Sequence, residues 1–167
     1  IAIVPDFPGQ AKAHRPSLSG VFLQRGIRAV LFVVFTFIVA HNILYIYLEP
    51  FLKPSGLSER VDIVLFIFGL GAIAGLGVAG MLVDRRVQSL TVMSIVIFAL
   101  AAVLLGSGGR MIPMVYLSVA CWGLAFGGFA TLTQTALSRL SGRAADVAQS
   151  MYTTGWNTAV AAGGAVG

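Results

Sequence analysis

The polar side chains whose types and spacing could do chemistry lie inside apolar stretches. His41, Asn42 and Tyr45 are followed by Glu49, and Asn42, Tyr45 and Glu49 stand at i, i+3 and i+7, one face of a helix. Gln149, Thr153, Trp156 and Asn157 stand at i, i+4, i+7 and i+8, and Thr131 and Gln134 continue the face that carries Gly123 and Gly127. A polar stripe on an apolar helix is costly unless it faces a protein interior or a water-filled path, so one reading is a pathway that binds a polar solute. In the other reading, His41 or Asn42 makes an interhelical hydrogen bond, while Tyr45, Tyr47 and Glu49 sit at a membrane interface as amphipathic belt residues.

Covalent catalysis is not indicated. No Asp or Glu lies in the interior of an apolar stretch, no second His lies within helical reach of His41, and no Ser/His/Asp or nucleophile-elbow pattern occurs. The one cysteine, Cys121 beside Trp122, reads as a buried small hydrophobe, and no Cys/His spacing suits zinc. Without a P-loop, and with the GxGxxG at Gly75–Gly80 lying inside an apolar run rather than at a strand-to-helix turn, no nucleotide site is indicated either. The expectation is therefore no enzyme activity, no metal and no cofactor.

The elements that must position these stripes follow from composition. Of 167 residues, 57% are hydrophobic and 10% charged, against about 45–50% and about 25% in soluble domains. Five stretches carry no Asp, Glu, Lys or Arg: 29–48, 63–83, 87–109, 111–138 and 147–167. Each has the roughly 20 residues that cross a hydrocarbon core about 30 Å thick. Spans of about 28–49, 61–83, 88–107, 112–137 and 146–167 are expected. They are too long and unbroken for barrel strands. Turns fall at Glu49-Pro50 and Lys53-Pro54-Ser55-Gly56, at Asp84-Arg85-Arg86, at Ser107 to Arg110 and at Ser138 to Asp146, with Ser58 as N-cap of the second span.

Residues 1–27, with Pro5, Pro8, Gly9 and Pro16 among Lys12, Arg15 and Arg25, read as an irregular basic linker. The chain starts without Met and stops in an apolar pattern, so a piece of a longer membrane protein is expected. The net charge of +5 is scattered between spans, without the dense basic stripe that nucleic acid needs. With alternating spans, eight of the eleven basic residues share one side (Lys12, Arg15, Arg25, Arg28, Arg85, Arg86, Arg139 and Arg143), and Lys53, Arg60 and Arg110 share the other. Basic short loops stay cytoplasmic, which puts residues 1–27 inside the cell.

The second span, FIFGLGAIAGLGVAG, holds Gly69, Gly71, Gly75, Gly77 and Gly80, with Gly71 and Gly75 as a GxxxG pair. Gly123 and Gly127 in the fourth span, and Gly163 and Gly167 in the fifth, repeat that spacing. Glycine at this spacing lets another backbone approach closely, either within this chain or from a missing part. The third span, SLTVMSIVIFALAAVLLG, is almost bare of polar groups and suits a lipid-facing place.

Gly80-Met81-Leu82-Val83-Asp84-Arg85-Arg86, closing the glycine-rich helix, resembles the repeated loop motif of the major facilitator superfamily. With AHNILYIYLEPFL, YLSVACWGLAFGG and ADVAQSMYTTGWN, the chain resembles the C-terminal half of a bacterial member of the drug and sugar efflux (proton antiporter) branch, helices seven to eleven. Val87-Gln88-Ser89 depart from the Gly and basic residues expected after Arg86.

The resemblance implies an all-α integral membrane fold, five transmembrane helices of a truncated twelve-helix, inverted-repeat transporter. It implies proton-coupled efflux of small organic molecules by alternating access at the cell membrane. Partners would be a small-molecule substrate, protons, the bilayer and the missing N-terminal half, where coupling carboxylates of this branch usually lie. His41, Asn42, Tyr45, Gln134, Trp156 and Asn157 would be cavity candidates, and Gly80, Asp84 and Arg85 would form a gating loop, Arg85 pairing across the halves. Gly71, Gly75, Gly123 and Gly127 would pack helices. A non-transporting membrane-embedded binding or signalling module, with stripes used only for association, remains the alternative. The charge split predicts that a tag at Gly56 is reached by an impermeant label from outside intact cells and one at Ser141 is not; the reverse pattern would overturn the orientation.

Overall fold

A computed structural model describes residues 16–108 and 110–166. Lys12 and Arg15 of the leading segment, Gly109, and Gly167 of the last glycine pair lie outside the described residues. The elements are α1 (Leu18–Phe22), α2 (Ile27–Ile46), α3 (Leu48–Leu52), α4 (Val61–Gly108), α5 (Ile112–Gly127), α6 (Phe129–Ser141) and α7 (Ala145–Val166), and no strand occurs among the described residues. Three helical stretches are long and apolar enough to cross a bilayer: Ile27–Ile46, Ser58–Ser107 and Ile112–Val166, of 20, 50 and 55 residues. About 20 residues suffice for one crossing, so the second and third stretches must each bend or reverse.

In α4 the reversal is compressed into Arg86, whose φ of −137° and ψ of 29° are the helix's departure from helical geometry. Gly75, Val78 and Ala79 before it and Leu90, Met93, Ser94 and Ile97 after it line one small cavity, so the arms 61–85 and 87–108 lie side by side. The expected three-residue turn is thus helical through Asp84 and Arg85. In the third stretch, α5 passes to α6 at Gly128, and α6 ends at Gly142, whose φ of +50° and ψ of −117° suit a residue without Cβ. The turn before α7 is only Gly142–Ala144, shorter than the expected 138–146.

Other local expectations also shift. Ser58 lies inside a short 3-10 turn, Ser58–Arg60, and does not cap α4. The basic leader is not wholly irregular: Ser17 Oγ accepts from the Gly20 amide at 3.2 Å and starts α1. The first span splits because Pro50 has no N–H for the Ile46 carbonyl; α2 stops at Ile46 and Glu49 belongs to α3. The Asn42, Tyr45, Glu49 stripe is therefore interrupted before its last member.

Helices pair in parallel. Gly163 lies against Val39 and Asn42, and Gly164 against Ile46, so α7 runs alongside α2. The first arm of α4 runs alongside α5 through the glycines. A Cβ on Gly71 would stand 2.5 Å from the Ala120 carbonyl oxygen and 3.3 Å from the Gly123 Cα, Gly75 meets Leu124, Gly123 meets Phe68 and Gly127 meets Ala72. The two GxxxG pairs thus face each other within this chain. Gly128 joins them, with 2.8 Å from its built Cβ to the Gly75 carbonyl oxygen. Phe37 of α2 stacks on Phe129 of α6 at 3.7 Å between centroids and lies 4.7 Å from Phe98 of the second arm of α4. The outer side of that second arm is apolar and open, with Val92, Val96, Leu100 and Val103 exposed, as its bare sequence suggested.

Gly71→Val and Gly123→Val are predicted to force the α4–α5 seam apart and cost about 1–3 kcal/mol. Gly106→Ala, with no atom within 4 Å of the added Cβ, should be neutral or stabilising by up to about 1 kcal/mol. Thermal unfolding of the full-length protein in detergent checks the contrast; equal effects at the three positions would contradict the seam.

Candidate functional site

The α4–α5 seam carries Phe68 on one helix and Trp122 and Phe126 on the other, and these three surround His41 of α2. The Trp122 indole Nε1 donates to His41 Nδ1 at 3.0 Å. The imidazole lies flat on Phe126, 3.9 Å between centroids and 10° between planes, with Phe68 at 6.1 Å. Trp122 is buried and His41 is 8% exposed. Tyr45, one turn along α2, has its ring 5.9 Å from that of His41 and is 46% exposed. His41 and Tyr45 thus form one polar pair on an aromatic bed. Spacing did not point to Trp122 or Phe126 as its floor; their placement depends on two helices meeting α2.

Asn42 does not join that pair. Its amide Nδ2 donates to the Ile38 carbonyl at 3.0 Å, and its Cβ stands 2.6 Å from where a Cβ on Gly163 would be. It is half-buried at the α2–α7 crossing. A donor turned back into its own helix satisfies itself without a partner helix.

A second polar group forms where α6 meets α7. Thr133 Oγ1 donates to the Phe129 carbonyl at 2.8 Å and lies 3.0 Å from the Tyr152 phenol oxygen. Gln134 is exposed and flanks the same phenol. The Trp156 ring, half-buried, lies 5.7 Å from that of Tyr152, and Asn157 is exposed on the next position. Thr133 and Tyr152 were not singled out from the sequence, although Tyr152 stands at i+3 from Gln149. Trp122 and Gln134 are twelve residues apart along α5 and α6, about 18 Å of helical rise, so the two polar groups occupy different depths. Cys121 is half-buried against the core. No cluster of three His, Cys, Asp or Glu forms among the described residues.

At the Arg86 reversal, Arg139 Nη2 stands 3.0 Å from Asp84 Oδ1 and also donates to the Asp84 backbone carbonyl at 3.3 Å. Asp84 closes the first arm of α4 at its C-terminal end, where carbonyls lack helical partners and a carboxylate alone is unfavourable. Arg139 answers both groups. Arg139 is thus the partner of Asp84 within this chain, while the pairing that the resemblance implies for Arg85 is with the other half. Gly80 is exposed, with nothing within 4 Å of an added Cβ.

Two grooves of about 490 and 760 Å³ are present, one between α2, the second arm of α4 and α6 with Thr133 and Arg139 in its wall, the other between α1, α2 and α7. Neither is lined by His41, Asn42, Tyr45, Gln134, Trp156 or Asn157. Of these candidates Tyr45, Gln134 and Asn157 are exposed, Asn42 and Trp156 are half-buried, and His41 is buried.

Comparison with known proteins agrees with this arrangement of apolar helices. The model of the Major Facilitator Superfamily matches residues 4–164. Among similar proteins is one from Helicobacter acinonychis named "Probable sugar efflux transporter", 25% identical over 155 residues that cover 92% of this chain and 37% of that protein. A protein of the same name from Helicobacter pylori is 26% identical over 155 residues, with the same coverage. The chain therefore spans 37% of the length of these curated relatives. No solved structure matches it. With the family match running through nearly all of its helices, the chain is a membrane protein of the major facilitator superfamily.

Proposed function

We propose that this chain supplies helices seven to eleven of a secondary transporter that exports small hydroxylated molecules, sugars foremost, in exchange for protons by alternating access. The family match over residues 4–164 carries this reading, and the relatives named for sugar efflux support the substrate class. The parallel pairs α2 with α7 and the first α4 arm with α5 suit a bundle whose remaining wall comes from an N-terminal half. The open face of that arm supports this too, since Phe66, Ile73, Leu76 and Met81 are exposed beside Gly69, Gly77 and Gly80. His41 and Tyr45 at one depth, and Gln134, Trp156 and Asn157 at another, are the proposed substrate contacts; Asn42 is a weaker one because its amide is already bonded. Residues 1–27 would be cytoplasmic, and the protein would perform no covalent chemistry.

Everted vesicles containing the full-length protein should accumulate radiolabelled lactose or glucose when energised, and a protonophore should abolish the accumulation. Accumulation of neither sugar would overturn the sugar assignment, and accumulation indifferent to the protonophore would overturn the coupling.

We further propose that the Asp84–Arg139 pair holds the cytoplasmic end of the first arm of α4 against α6 during gating. An exposed pair of this kind is worth about 0.2–1 kcal/mol, enough to change a two-state population by up to about fivefold. Asp84→Asn and Arg139→Gln should each slow transport by a similar factor of a few, and the double variant should be no slower than either. Additive losses in the double variant would show that the two residues act separately.

A further inference from the structure

The Trp122–His41 contact has a direction. An indole N–H can only donate, so the Nδ1 it meets at 3.0 Å is an acceptor, and a neutral imidazole then carries its proton on Nε2. The ring lies flat on Phe126 at 3.9 Å, and a half-turn within that plane would take Nδ1 away from the Trp122 donor. Nε2 itself has no hydrogen-bond partner among the described residues, yet no buried side-chain nitrogen or oxygen there lacks a partner. Nε2 therefore accounts for part of the 8% of His41 that remains exposed. The Tyr45 ring is 5.9 Å from the imidazole, and Tyr45 is 46% exposed.

We infer that Trp122 is a positioning residue that locks His41 in the Nε2–H tautomer, and that this N–H is the donor offered to a hydroxyl or carbonyl oxygen of the transported solute. The inference rests on the transport reading above and deepens it at one atom. A polyhydroxylated solute suits the place: its oxygens meet His41 Nε2–H and the Tyr45 hydroxyl, and its C–H face meets aromatic rings. Trp122, being buried, need not touch the solute; it acts through the imidazole.

The test uses the full-length protein, with ring ¹⁵N resonances of His41 reporting the tautomer and lactose and glucose binding reporting the donor. Wild type should show one tautomer, protonated on Nε2, before any sugar is added. Trp122→Phe keeps a ring in place but removes the donor; it should yield mixed tautomers and weaken sugar binding several-fold. His41→Gln, whose amide nitrogen reaches the Nε2 position, should stay within about threefold of wild type, while His41→Asn, which reaches only the Nδ1 position, should lose about tenfold, the worth of one hydrogen bond. His41→Asn with wild-type affinity, or Trp122→Phe with an unchanged single tautomer, would overturn the inference. Should wild type bind neither sugar, the sugar assignment and the solute half of the inference both fall, and the tautomer measurement, which needs no sugar, still decides the lock.

Discussion

Backbone-to-backbone contact between the first arm of α4 and α5 is the constraint on which the other placements depend. In a bilayer the apolar side chains gain little by leaving lipid for protein, so helices associate through close packing and a few polar contacts. Gly71 and Gly75 on one side and Gly123, Gly127 and Gly128 on the other remove the side chains that would hold the axes apart. Once that seam closes, Phe68, Trp122 and Phe126 present a single aromatic surface to α2, on which His41 lies against Phe126 and accepts from Trp122. The polar site is thus a by-product of where side chains are missing.

The apolar runs, their polar punctuation and the glycine spacing were legible because each is a property of one segment. The break after α2 was legible too, from Pro50, although its consequence for Glu49 was not, since a face drawn on an ideal helix does not register a lost hydrogen bond. The Arg86 reversal occupies less chain than the charged tripeptide suggested: no Gly or Pro loosens Asp84 or Arg85, so both stay helical to the end. What stayed hidden was relational. Arg139 as the partner of Asp84, Tyr152 as the partner of Thr133, and Trp122 as the partner of His41 join residues 55, 19 and 81 positions apart, and no periodicity within a helix encodes such pairs.

Polar residues in these helices also differ in what they offer a ligand. Thr153, Thr154 and Thr158 spend their hydroxyl protons on carbonyls four residues back, as does the Asn42 amide on Ile38. A stripe of hydroxyls on α7 is consequently less inviting to a solute than its sequence suggests. Their oxygens can still accept, but their protons are committed. His41 is unlike them, because its pairing occupies one ring nitrogen and leaves the other.

Parallel pairing also governs the order in which the chain can assemble as it is made. Two neighbouring helices joined by a short loop must run antiparallel, so each parallel partner arrives only after intervening chain has crossed the membrane. The glycine face of α4 waits for α5, with the whole second arm inserted between them, and α2 waits for α7 through all the rest. The most intimate contact in the protein is therefore absent during early insertion, when the second arm of α4 is the neighbour at hand. Non-local contacts of this kind are the slow ones to form. A newly inserted chain exposes its narrowest, most glycine-rich surface to lipid, and to any passing helix, until α5 has crossed.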